Sequence, residues 1–325
     1  MKLLRRNFLH LTAGAAALPA VSRVARAQAY PSRSVRILVG FAAGGTADIT
    51  ARLIGQWLSE RLGQQFIVEN RPGASTNIAT DAVVRAPADG YTLLMVSTTH
   101  ATNAALYDRL NFDLIRDIAP VASVFETPLV VEVNPSVPVH TIPEFITYAK
   151  DNVGKLNMGT PGVGTPPHVA GELFKMIAGV NMVHVPYRGT GPMLTDLIGG
   201  QVQVAFDPLP ASIEHIRAGK LRALAVTTAS RSDALPGIPS ASESVPNYVA
   251  SNWYGFAAPK NTPPEIVGKL NVEINAALAD PKMRARLAEL GGTSFANSPT
   301  DFAKFVADDT AKWAKVIRAA NIKPQ

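Results

Sequence analysis

Residues 35–62 read VRILVGFAAGGTADITARLIGQWLSERL, and this stretch decides the fold. Val35, Ile37, Val39 and Phe41 form a short β-branched and aromatic run, Gly44 and Gly45 follow, and Ile49, Leu53, Trp57 and Leu62 then recur at roughly helical spacing. The pattern is a strand, a glycine turn and a helix. The first N–H groups of a helix have no partner inside it, and the helix dipole places partial positive charge there, so such a turn suits an anion. Asp48 offers a second reading, because a carboxylate in the first helical turn can itself satisfy those amides. The sequence leaves Asp48 as either a helix-terminus partner or a ligand contact.

Working outward, strand-like and helical patterns keep alternating: Gln65 to Asn70, a helix near Ile78 to Arg85, and Tyr91 to Ser97. Such alternation predicts a parallel sheet covered by helices. Thr98 to Asn103 is a small polar cluster just beyond a buried strand. Ligands of open α/β sheets gather past the carboxyl ends of strands, so this cluster and Ala42 to Thr46 should face one crevice. Pro120 to Val133 has little helical period, and the proline-rich passage from Pro135 to Pro143 reads as a crossing into a second alternating series. Trp253 to Ala258 then returns to the first lobe, and three helical segments close the chain. The expected organisation is an export signal over 1–29, lobe 1 over 30–129 plus 250–325, and lobe 2 over 130–249, two similar α/β units joined by two crossings.

The amino terminus has basic residues, an apolar Leu11 to Val21 segment too short to span a bilayer, and two Ala-x-Ala sites, which is the pattern of a cleavable export signal. Arg5-Arg6-Asn7-Phe8-Leu9 is similar to the twin-arginine pattern, with general secretion as the other route. Cleavage after Ala29 would remove five of the 31 basic residues and none of the 25 acids, lowering the net charge from +6 to +1. No domain-scale basic surface for nucleic acid then remains. The chain has no cysteine, hence no disulfide, thiol nucleophile or thiolate metal site.

A second glycine-rich turn, Gly159 to His168 (GTPGVGTPPH), again separates a strand from a helix. Two such turns, one per lobe, would converge on an interlobe cleft, each supplying unpaired amides, with hydroxyls from Thr160 and Thr165. The loops fail the nucleotide tests: Gly162 and Gly164 start a GxG, but His168 and not glycine lies beyond it, and there is no GxxxxGK[ST]. GxSxG and HExxH are also absent, and the histidines are scattered, so neither a triad nor a zinc centre is expected; a hydrolase using Ser97 and His100 is the enzyme rival. His168 reads as a helix cap or a ligand-side group, Arg188 as a structural arginine or a carboxylate partner, and Asp207 as a loop-ordering acceptor or a cleft residue.

Seven stretches, YPSRSVRILVGFAAGGTAD, VENRPGASTNIA, ADGYTLL, MGTPGVGTPPHVAGELF, VHVPYRGTGPMLTDLIGGQVQVAFD, GKLRALAVTTASRSDALPGIPS and WYGFAAP, together resemble the Bug receptors, the substrate-binding proteins of tripartite tricarboxylate transporters. The resemblance spans the mature chain. It implies a two-lobed type II periplasmic binding protein fold, a small organic carboxylate as ligand, membrane permease subunits as partners, and no enzymatic activity or cofactor. It also implies contacts from Phe41, Ala42, Ala43, Gly44 and Gly45 on one lobe and Thr160, Gly162, Gly164, Thr165 and His168 on the other, with Asp48, Ser97 and Thr98 on the remaining wall. Gly40, Pro161, Pro166 and Pro167 depart from the residues common in that family, and proline supplies neither hydroxyl nor N–H. The protein is expected to act as a periplasmic monomer, with a ligand sensor as the alternative to a transport receptor.

Overall fold

The computed structural model describes residues 30–41, 43–107, 109–187 and 190–324; the expected export signal, Ala42 and Arg188 lie outside them. The chain opens with β1 (Val35–Val39), α1 (Thr46–Leu62), β2 (Phe66–Asn70), α2 (Asn77–Val84), β3 (Thr92–Ser97), α3 (Thr98–Leu106) and the short α4 (Leu114–Asp117). β4 (Ile118–Val133) leads into α5 (Ile142–Asp151), β5 (Asn157–Thr160), α6 (Pro166–Ala178), β6 (Val183–Pro186), α7 (Thr190–Ile198), β7 (Val204–Pro208), α8 (Leu209–Arg217) and β8 (Arg222–Val226). β9 (Ser251–Pro259), α9 (Pro264–Ala279), α10 (Pro281–Glu289), β10 (Thr293–Ser294) and α11 (Pro299–Ala319) complete it.

The result is a two-lobed α/β fold in which one long strand serves both sheets. In lobe 1 the order is β2-β1-β3-β9-β4, with β1 parallel to β2 and β3, and β9 antiparallel to β3 and β4. In lobe 2 it is β4-β7-β5-β6, and β8 also pairs with β4. Ile118 to Pro128 faces β9, whereas Leu129 to Val133 faces β7 and β8. The chain therefore changes sheets inside β4, ahead of the Pro135 to Pro143 passage that the sequence pattern marks as the crossing. β4 is buried along nearly its whole length, so it carries neither a helical nor an alternating signature, and Pro120 sits at a register shift where a missing N–H is tolerated. The return crossing is tied to the outgoing one by Thr227: its N–H and Oγ1 reach the Leu129 carbonyl at 2.9 and 3.0 Å, and its own carbonyl takes the Ala250 amide at 2.9 Å.

Both faces of the lobe 1 sheet are covered. Ile37, Val39, Leu93 and Met95 pack with α1, α9 and α10, while Leu38, Leu94 and Val96 pack with α2, α3 and α11. α11 is fixed by Asp309, whose Oδ2 accepts both buried indole N–H groups, Trp253 at 2.7 Å and Trp313 at 2.9 Å. The polar cluster Thr98 to Asn103 forms the opening of α3, with Ser97 as its N-cap residue. Its polar residues are buried because helix α3 lies against α11 and the sheet. Among the described residues no helix is long and apolar enough to cross a membrane.

Candidate ligand-binding site

Each glycine corner is closed by a side chain four residues on, in the first turn of the following helix. In lobe 1 Gly44 adopts φ +85°, and its amide donates to Asp48 Oδ2 at 2.9 Å. Arg52, one turn further along α1, pairs with Asp48 Oδ1 at 2.9 Å, and Asn70 from the end of β2 donates both to that oxygen at 2.9 Å and to the Phe41 carbonyl at 3.1 Å. Burial alone would raise the Asp48 pKa, but the bonds from Arg52, Gly44 and Asn70 outweigh it and hold the carboxyl below its usual range. The acid is the keystone of this corner.

In lobe 2 Gly164 adopts φ +74°, and its amide donates to His168 Nδ1 at 3.0 Å. An Nδ1 that accepts must be unprotonated, so the ring hydrogen resides on Nε2. The His168 ring stacks on His184 with centroids 3.7 Å apart and planes 10° from parallel, and His184 Nε2 lies 2.6 Å from Thr160 Oγ1. Thr165 Oγ1 donates to the Gly162 carbonyl at 2.7 Å, which sets the turn itself. Burial depresses both imidazoles, His168 to about 3 with help from His184 and Lys175, and His184 to about 4 with help from Lys175. The pair is neutral at physiological pH.

A third corner follows β3. The Ser97 amide donates to His100 Nδ1 at 3.1 Å, and Thr98 Oγ1 accepts the Trp253 amide at 3.0 Å while donating to the Ser251 carbonyl at 3.3 Å. Burial lowers the His100 pKa to about 4. Among the described residues His100 Nε2 has no hydrogen-bond partner, so no acid there orients this ring for nucleophilic work, and Ser97 and His100 form a helix cap.

The residues singled out from the sequence thus separate into two layers. Ala43, Gly44 and Gly45 are exposed and Phe41, Gly162 and Thr165 half-buried, so these present the accessible surface of the two corners. Asp48, Ser97, Thr98, Thr160, Gly164 and His168 are buried and hold that surface in place. Asp207 is fully buried inside lobe 2, where it accepts from Ser212, and is not on a cleft wall. The expectation of unpaired amides needs correcting at Gly44 and Gly164, because side chains on α1 and α6 take those donors. Asn70, Arg52 and His184 complete the corners, yet the local sequence context of Asn70 and His184 does not mark them out. The available signal was positional: an acid or imidazole four residues after a corner glycine, and an arginine four after the acid.

The lobes meet at the second corner. A β-carbon built on Gly164 would overlap Leu106 at the end of α3, so lobe 1 packs directly against the lobe 2 turn. Among the described residues no group of three or more His, Cys, Asp or Glu side chains could hold a metal ion.

Residues 50–322 match the family model described as "Tripartite tricarboxylate transporter family receptor". Protein BugT of Bordetella pertussis is 36% identical over 300 residues, which cover 91% of this chain and 92% of that protein. Among solved structures, R. palustris Rpa4515 with adipate is 40% identical, with a TM-score of 0.79 over 91% of this chain and 100% of that one. MatC from Rhodopseudomonas palustris with bound malate is 32% identical, with a TM-score of 0.75 over 89% of this chain and 100% of that one. The chain belongs to the Bug family of tripartite tricarboxylate transporter receptors, solute-binding proteins rather than enzymes.

Proposed function

We propose that this receptor binds a small organic carboxylate between its two glycine corners and delivers it to the membrane permease of a tripartite tricarboxylate transporter. The observation that carries the reading is the cross-lobe seating of Leu106 on Gly164, which places the second corner at the contact between the lobes. The exposed backbone at Ala43 and Gly45 and the half-buried turn at Gly162 and Val163 are the complementary donor surfaces. Adipate and malate, bound by two relatives, set the size and charge class to test. The lobes are taken as 30–129 plus 250–325 and 130–249, and Phe41, Ala42, Ala43, Gly45, Gly162 and Thr165 as the first contacts.

The receptor works in the periplasm as a monomer and leaves the cytoplasm through its twin-arginine signal. Thermal shift and calorimetry with malate, adipate and monocarboxylates of similar length test the ligand class; a rise in Tm with at least one of them, lost in Gly164→Leu, is expected. Silence across the panel, or undiminished binding in the variant, would remove the proposed site. Loss of the mature form from the periplasm after Arg5→Lys with Arg6→Lys tests the export route, and light scattering tests the monomer.

A further inference from the structure

Glu132 on β4 and Asp207 on β7 are both fully buried, and one hydroxyl stands between them. Ser212 Oγ, on α8, is 2.9 Å from Glu132 Oε1 and 2.8 Å from Asp207 Oδ2. A serine hydroxyl has a single hydrogen and cannot donate to both. Were both acids ionised, one contact would set lone pair against lone pair, and two negative charges would share a buried core.

We propose that Glu132, Ser212 and Asp207 form a proton-binding site in lobe 2: at neutral to mildly alkaline pH one proton resides on Glu132, which donates to Ser212 Oγ, and Ser212 donates to Asp207. The polarity of this relay follows from the surroundings. Among the described residues Ser212 is the one side-chain hydrogen-bond partner of each acid, and the Asp207 charge beside Glu132 favours the proton on Glu132. Among the described residues Glu132 Oε2 and Asp207 Oδ1 have no hydrogen-bond partner. Burial pushes Glu132 well above the usual carboxyl range, with the neighbouring Asp207 adding to it, and lifts Asp207 to about 7.

The other charged groups on the packed elements have their own partners. On β8 Arg222 donates to the Val137 and Val139 carbonyls; on α8 Glu214 pairs with Arg217 at the surface, and His215 bonds to neither acid. On α7 Asp196 takes the Tyr187 hydroxyl, and on α6 Glu172 holds Lys175 beside His168.

Because the folded chain keeps protons that unfolded carboxyls release above about pH 4, the site stabilises lobe 2 most in acid and loses that contribution as pH rises. Infrared difference spectra of the full chain at about pH 8 test it. A protonated-carboxyl band should be present in wild type, absent in Glu132→Gln and retained in Asp207→Asn. Ser212→Ala, which keeps both acids, should retain the band but shift it. The fall in urea midpoint between about pH 6 and 9 should flatten in Glu132→Gln. An unchanged band in Glu132→Gln, or one lost only in Asp207→Asn, would overturn the assignment. So would a midpoint that depends on sodium at constant ionic strength, which would put a metal cation in place of the proton.

Discussion

The two glycine corners share a geometry and differ in charge. Each places a left-handed glycine before a helix and spends that glycine's amide on a side chain four residues on, but the acceptor is the Asp48 carboxylate in lobe 1 and the neutral His168 imidazole in lobe 2. In lobe 1 the positive end of α1 is already answered by an anion, itself neutralised by Arg52. In lobe 2 the positive end of α6 has only an uncharged cap. An incoming carboxylate should therefore find its stronger electrostatic hold on the lobe 2 side, while lobe 1 contributes shape and backbone donors.

Closure sharpens the contrast most. A β-carbon added at Gly44 would meet open space, whereas one added at Gly164 meets Leu106 from the other lobe. Gly44→Ala should cost about 1–2 kcal/mol of left-handed strain alone. Gly164→Ala adds overpacking of about 1–3 kcal/mol, so the closed form should lose about 2–5 kcal/mol in all, and since only the overpacking part depends on the lobe contact, carboxylate affinity should fall about 5- to 150-fold. Adding Leu106→Ala should recover most of the overpacking part. Calorimetry on the two singles and the double reads this directly, and equal losses in Gly44→Ala and Gly164→Ala would erase the difference.

Removing each cap comes next. Asp48→Ala leaves the Gly44 amide, Asn70 and Arg52 without their common acceptor, and the loss of charge-assisted bonds should lower unfolding free energy by about 2–3 kcal/mol. Because the folded pKa of Asp48 is held low, its contribution is present above the ordinary carboxylate range and disappears only as pH falls below about 4. Urea titrations at neutral pH and near pH 3 should show the Asp48→Ala deficit shrinking at the lower value.

Much of this was legible because the strand, glycine and helix periods of 35–62 are local, and so is the repeat of that pattern at Gly159 to His168. What sequence could not supply depends on contacts between distant segments. Whether Asp48 faces a ligand or its own helix is decided by Asn70, which arrives from the neighbouring strand. His184 reads as one scattered histidine until β5 and β6 pair in register and bring its ring under His168. β4 is buried along nearly its whole length because two sheets use it, so no period marks where the lobes divide. Asp207 ends a strand at the expected level yet points inward to Ser212, and strand position alone does not distinguish the two directions.

Acid separates the corners in the opposite order from strength. His168 is depressed to about 3, so its contribution is complete above the ordinary imidazole value and is lost as pH falls toward the folded value. At about pH 5 the unfolded ring takes a proton that the folded ring refuses, a penalty of about 2 kcal/mol. The lobe 2 corner should therefore weaken from about pH 6.5 downward, long before Asp48 is affected. His168→Gln, which can still accept the Gly164 amide, should narrow the gap to wild type by about 2 kcal/mol between neutral pH and about pH 5. The Glu132 proton site works in the other direction, so the wild-type to variant difference, and not the wild-type curve, is the readout.

The smallest effect distinguishes the keystone from its counter-ion. Arg52 pairs with Asp48, yet 53% of its side chain is exposed, so water and salt can replace most of what the guanidinium gives. Arg52→Ala should cost under about 1 kcal/mol and less in high salt, since Gly44 and Asn70 continue to satisfy the carboxylate. If lobe 1 repels a ligand's charge through Asp48, the same variant should also weaken carboxylate binding slightly at low ionic strength, by about twofold, with the difference vanishing as salt is added. A large stability loss would mean that Arg52, rather than the backbone and Asn70, keeps the buried acid ionised, and the charge contrast between the corners would then rest on the ion pair as a unit.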